Sequence, residues 1–156
     1  MAFQFYMQRA GEGNPLHIPE MGLELRVTLP SSASGEVMTI LETVNAPAFG
    51  PPLHRHRETE VFRVIEGRYL YEVDGRRFEA GEGDTVSVPG GAAHAFVNIS
   101  SAPGRQLVMM IPGMDAYGFF EGLGRVFAQG RPTREALNAY GAAWYMEFLG
   151  SPIKAN

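Results

Sequence analysis

The sequence predicts an all-β domain, a sandwich or closed barrel, followed by a helical tail. Three observations carry this reading. Between Leu23 and Met110 the apolar residues fall in short runs, several of them alternating with polar residues in the two-residue period of a strand. Gly, Pro and Asp punctuate those runs at close intervals, the pattern of many short strands joined by tight turns. From Ala116 onward the apolar spacing changes to three and four, which is helical.

Taken in order, Leu23–Leu29 alternates and stops at Pro30-Ser31-Ser32, and Val37–Val44 is closed by Ala46-Pro47. Glu60–Ile65 leads through Glu66-Gly67 into Tyr69–Val73. Asp74-Gly75 then reads as a two-residue hairpin turn, because both residues tolerate the positive φ that such turns require. Arg76–Glu79, Thr85–Val88, His94–Asn98 and Gln106–Ile111 complete the strands. In the tail, Ala116–Ala128 and Thr133–Leu149 are expected helices, the second capped by Thr133 and stopped by Gly150-Ser151-Pro152. Leu137, Tyr140, Trp144 and Phe148 would give that second helix one apolar face, packed as a cap on the barrel.

The 156 residues suit one domain, 1–156, with a barrel core over about 23–111 and a helical segment over about 116–150. Apolar residues make up 45% and charged residues 19%, an ordinary globular balance. The net charge is -4 and the cationic residues are scattered, so no basic face is available for nucleic acid or an anionic membrane. No cysteine is present, which removes disulfides and thiolate metal sites. The first residues lack a basic segment followed by an apolar run, and no stretch is long and apolar enough to span a bilayer. A cytoplasmic location is the expectation.

Of four histidines, three form one constellation. His54 and His56 are two apart, so on a strand their imidazoles share a face while Arg55 and Arg57 take the other. Glu60 keeps that parity if the strand runs on through Arg57-Glu58-Thr59. His94 arrives on a later strand after the turn Pro89-Gly90-Gly91. Three imidazoles and a carboxylate suit one divalent transition metal: Mn, Fe, Co, Ni or Zn. Phe62 and Val64 continue on Glu60's face, and a carboxylate on an apolar inward face is costly unless paired or metal-bound. The fourth histidine, His17, is far from either motif and reads as a surface or loop residue.

His54-x-His56-x3-Glu60-x6-Gly67 resembles the first cupin motif, and Gly83-x5-Pro89-x-Gly91-x2-His94-x3-Asn98 resembles the second. Nine of ten anchor positions match; the exception is Ala48, where the family places glycine and this chain offers Gly50 instead. The resemblance implies a cupin double-stranded β-helix, a jelly-roll barrel with C-terminal helices. It also implies that His54, His56, Glu60 and His94 are the metal ligands. Small cupins pair through their outer sheets, so a homodimer is expected, with Phe3 and Phe5 on an N-terminal edge strand.

Four protein ligands leave coordination positions open, as catalytic sites require. Glu60 is then a ligand, a general base, or both. Phe62, Tyr69, Tyr71, Phe96 and Met109 are the candidate substrate-pocket residues, with Val64 and Met110 beside them on parity, and they point to a flat or aromatic small molecule. The chain is similar to small bacterial single-domain cupins of the quercetin 2,3-dioxygenase-like group. That likeness implies a dioxygenase acting on a flavonol-like or other enolic substrate with dioxygen. Alternatives are a non-catalytic metal- or small-molecule-binding module and a cupin isomerase. The isomerase reading lacks an evident cationic pair to clamp a phosphate, with Arg68 and Arg105 as the remaining candidates.

Overall fold

The computed structural model describes residues 4–155. Two antiparallel sheets face each other. The first has the order β1-β2-β3-β10-β5-β8, built from β1 (Leu16–Ile18), β2 (Leu23–Leu29), β3 (Thr39–Asn45), β10 (Gly104–Ile111), β5 (Thr59–Glu66) and β8 (Thr85–Val88). The second has the order β11-β4-β9-β6-β7, built from β11 (Met146–Pro152), β4 (Pro52–His56), β9 (His94–Asn98), β6 (Arg68–Val73) and β7 (Arg76–Gly81). This is the jelly-roll barrel that the motifs imply. The hairpin at Asp74-Gly75 forms with φ of 47° and 78°, the double left-handed turn that joins two twisted strands without splaying them.

Alternation places the core. On β10 the buried residues are Gly104, Gln106, Val108 and Met110, while the intervening residues face outward. Phe62, Val64, Tyr69, Tyr71, Val88 and Val108 meet between the sheets, and each large side chain buried there contributes about 1.5–3 kcal/mol. One end of this core is polar. The Tyr69 hydroxyl donates to Asn45 Oδ1 at 2.9 Å, and the Tyr71 hydroxyl donates to Gln106 Oε1. Asn98 Nδ2 donates to the carbonyls of Asn45 and Ala102, both at 2.9 Å, and thereby ties β9 to β3 of the opposite sheet. A buried amide with its bonds made fixes register as well as closure.

Helix α1 (Ala116–Ala128) is capped by Asp115, whose carboxylate accepts from Gly118 N at 3.0 Å. Its apolar face, Phe119 and Leu123, packs with Ile18, Met21, Leu137 and Phe148 in a second cluster of buried apolar side chains. Helix α2 (Arg134–Gly141) begins at Thr133 as expected, with Thr133 Oγ1 accepting from Ala136 N at 3.1 Å. It does not run to Leu149. A single 3-10 turn, Ala142–Trp144, ends at Tyr145 with φ of 56°, and the chain becomes strand β11. The reason is tertiary: β4 is otherwise an open edge, and Met146, Glu147 and Phe148 pair with His56, Arg55 and His54. Asn138 holds the switch by bonding both backbone groups of Phe148, accepting from its N–H at 2.6 Å and donating to its carbonyl at 3.1 Å.

The sheet also begins earlier than the pattern indicates, at Leu16. The expected N-terminal edge strand is not found among the described residues: Phe5 is fully exposed and outside any strand, and Phe3 lies outside the described residues. Among the described residues no helix is long and apolar enough to cross a membrane.

The loop before β4 shows how Ala48 replaces the motif glycine. Ala48 has φ of 66°, a left-handed conformation that costs an L-residue roughly 1–2 kcal/mol, and its N–H donates to the Asn98 carbonyl at 2.9 Å. Gly50 serves another purpose: a Cβ there would sit 1.7 Å from the Phe96 carbonyl oxygen. Ala48→Gly is therefore expected to leave stability unchanged or raise it by up to about 1 kcal/mol in urea denaturation. Gly50→Ala is expected to lower it by more than about 2 kcal/mol.

Candidate metal centre

The three imidazoles come from one sheet and the carboxylate from the other. His54 and His56 lie on β4 with Arg55 turned outward, and His94 opens β9, paired directly with His54. Glu60 lies on β5, between Met110 of β10 and Val88 of β8. The expected continuous strand from His54 to Glu60 is broken by a bend at Arg57-Glu58. That bend carries the chain from one sheet to the other, so Glu60 faces the histidines across the barrel instead of standing in line with them.

The candidate donor atoms of His54, His56, Glu60 and His94 all lie within 4.8 Å of one another. Glu60 Oε2 is 2.9 Å from His56 Nε2 and 3.0 Å from His94 Nε2. Two ligands at right angles around an ion about 2.1 Å from each would be about 3.0 Å apart, so this spacing fits a shared transition-metal centre. The outer faces of the rings support the same orientation. His54 Nδ1 donates to the Pro52 carbonyl at 2.7 Å and His94 Nδ1 to the Ala92 carbonyl at 2.9 Å, which turns both Nε2 lone pairs inward. All three histidines are buried.

The electrostatics match a site that expects a cation. Burial, with His94 and His56 alongside, lowers the His54 pKa to about 3, so this ring is neutral. Burial also opposes a charge on His56, but the adjacent carboxylates of Glu58 and Glu60 outweigh it and raise its pKa to about 9. Glu60 is raised by burial yet held well below the usual carboxylate range by the His56 and His94 hydrogen bonds and charges.

Glu58 shares the parity of His54, His56 and Glu60, but it lies outside the two motifs and is not among the expected site residues. It is 3% exposed, its Oε2 stands 3.4 Å from His56 Nδ1, and its Oε1 accepts from Arg57 Nε at 3.2 Å. The 3.4 Å contact lacks hydrogen-bond geometry, and Nδ1 has no other partner among the described residues. Glu58 is therefore the acceptor that orients His56, as the carbonyls of Pro52 and Ala92 orient the other two rings. Arg57 in turn lies 4.0 Å over the ring of Tyr145, at the end of the 3-10 turn.

An apolar cavity of about 80 Å³ lies against His54, His56 and Glu60. Phe62 and Phe96 line it. Tyr69 and Tyr71 do not: both are buried in the core with their hydroxyls committed to Asn45 and Gln106. Met109 is on the outward face of β10, and the inward Met110 lines the cavity. Phe119, Phe120 and Leu123 of α1 close the cavity, a role foreshadowed only by their helical spacing. His17 is exposed on β1, near Glu24 at 3.6 Å and outside the site.

Residues 40–110 match the cupin domain family. Over 84 residues the chain is 29% identical to an uncharacterized protein of Methanocaldococcus jannaschii, covering 53% of this chain and 67% of that protein. It superposes on an RmlC-like cupin of Shewanella frigidimarina with a TM-score of 0.63 and 18% identity, over 73% of this chain and 96% of that one. A polyketide cyclase of Streptomyces resistomycificus gives a TM-score of 0.60 and 20% identity, over 76% and 94%. At these identities the structural likenesses establish the fold.

Metal analysis after dialysis is expected to find about one ion per chain in the unaltered protein. His56→Ala or His94→Ala should lower that content more than tenfold with the far-ultraviolet dichroism unchanged; full retention in both would remove the site. Glu58→Gln should weaken metal affinity about 10-fold, the usual effect of losing an outer partner of a ligating histidine.

Proposed function

We propose that this chain, whose residues 40–110 form a cupin domain, holds one divalent transition metal through His54, His56, Glu60 and His94 and acts as a dioxygenase on an enolic or aromatic small molecule. The observation that carries the reading is a set of three imidazoles and one carboxylate opening onto an apolar, aromatic cavity. A metal bound there would supply polarisation of an enol or phenol oxygen and, with a redox-active ion, one-electron chemistry toward dioxygen.

The protein's own contribution is positioning and exclusion of water. Phe62, Phe96 and Met110 provide a dry wall beside the ligands, which strengthens every charge interaction in the cavity. Phe119 and Phe120 close it from the helical side. Glu60 is held ionised, and among the described residues its Oε1 makes no hydrogen bond while Oε2 meets both histidines. We assign Oε2 to the metal and Oε1 to accepting a proton from a substrate hydroxyl.

A solved structure of the same fold is named as a polyketide cyclase, a name that does not include oxygen uptake. An oxygen electrode separates the readings. Metal-replete protein is expected to consume dioxygen in proportion to a flavonol or enediol substrate. Glu60→Gln should lower the rate about 100-fold or more. Saturable substrate binding without oxygen uptake would overturn the dioxygenase assignment.

A further inference from the structure

Beside the metal cavity lies a second, larger groove of about 550 Å³, bounded by the 3-10 turn Pro19–Met21, the loop before β4, the α1–α2 connection and β11. The two spaces share Met21, Gly50, Pro52 and Phe148 as a common wall. The groove differs from the inner cavity in chemistry. Arg131 and Arg134 line it, both exposed, and neither forms a salt bridge among the described residues. Glu20 is the one carboxylate in its lining, which leaves the groove with a net positive charge. By contrast, Arg68 is paired with Glu79 and Arg105 faces Glu42, both on the outside of the sheets.

We propose that this groove is the outer half of the substrate site and that it takes the anionic group of an amphipathic aromatic acid. The apolar body would pass the Met21–Phe148 wall toward the histidines, while a carboxylate or sulfonate stays at Arg131 and Arg134. This deepens the reading of the metal cavity as a substrate pocket and rests on it. The physical basis is division of labour. Apart from the metal ligands, the inner cavity offers only the uncharged Thr43 and Asn45 as polar partners and no cationic side chain beyond the histidines, so it favours the apolar body of a substrate over its anionic group. Two unpaired guanidiniums at the adjoining groove offer planar, bidentate recognition of an anion while leaving it partly hydrated. A groove of this size is in the range of small-molecule sites.

The test uses two fluorescent compounds with the same aromatic body, 8-anilinonaphthalene-1-sulfonate and the uncharged N-phenyl-1-naphthylamine, titrated into the full chain. The sulfonate is expected to bind saturably at one site, more tightly than the neutral compound and less so as salt rises. Arg131→Ala and Arg134→Ala should each weaken it about fivefold, with the neutral compound unaffected. Glu20→Gln should tighten the sulfonate alone. Equal affinity for the two compounds, equal loss of both in the arginine variants, or no saturable binding would each overturn the proposal. The measurement needs neither metal nor turnover and can be repeated in His94→Ala. Absence of oxygen chemistry and absence of an anion groove are therefore separate results.

Discussion

A single carboxylate oxygen, Glu60 Oε2, takes contacts from two imidazoles of the opposite sheet, at 2.9 Å from His56 and 3.0 Å from His94. These contacts cross the interior of the barrel, so they exist only when the two sheets close with the right register. A carboxylate in that position without a cationic or metal partner would oppose closure, because burial penalises its charge. The histidines are placed to offset that penalty. The same contacts make the site a property of the closed barrel, since neither sheet contains it alone.

The remainder of the fold divides around this constraint. At one end, Asn45, Asn98, Gln106 and the two tyrosines form a buried polar network that fixes how β3, β9 and β10 meet. A separate apolar cluster, built from α1, the Ile18–Met21 region, Leu137 and Phe148, covers the barrel from the helical side. The metal ligands lie toward the opposite ends of β9 and β10 from Asn98 and Gln106, and face a cavity walled by Phe62, Phe96 and Met110. Hydrogen bonding fixes how the strands meet away from the ligands, and apolar packing of the helical segment covers the cavity beside them.

The C-terminal tail links the surface to the site in two ways. Strand β11 pairs with β4 along the residues that carry His54 and His56, and so stiffens the strand that presents them. Tyr145, at the turn into that strand, lies under Arg57, which bonds Glu58, which contacts His56. A helix running to Leu149, as the apolar spacing of this segment indicates, would have supplied neither link.

Much of this was legible from the residues. The barrel, the hairpin at Asp74-Gly75 and the helix start at Thr133 follow from local periodicity and turn chemistry, which act between neighbours in sequence. The four residues His54, His56, Glu60 and His94 were picked out by spacing and by two motifs. What the sequence could not carry was which groups meet from distant segments. Met146–Leu149 has apolar spacing that serves either a helix or a strand, and only the open edge of β4 decides between them. Glu58 has the inward parity of His54 and His56, but only the bend at Arg57-Glu58, where the chain changes sheets, sets its carboxylate behind His56 instead of beside Glu60. Met110 rather than Met109 faces the cavity, because the inward parity of β10 depends on its pairing with β3 and β5. Local propensity and pattern were determined by the sequence itself; register, edge pairing and the crossing between sheets were decided by the tertiary structure, because their energies arise between segments far apart in the chain.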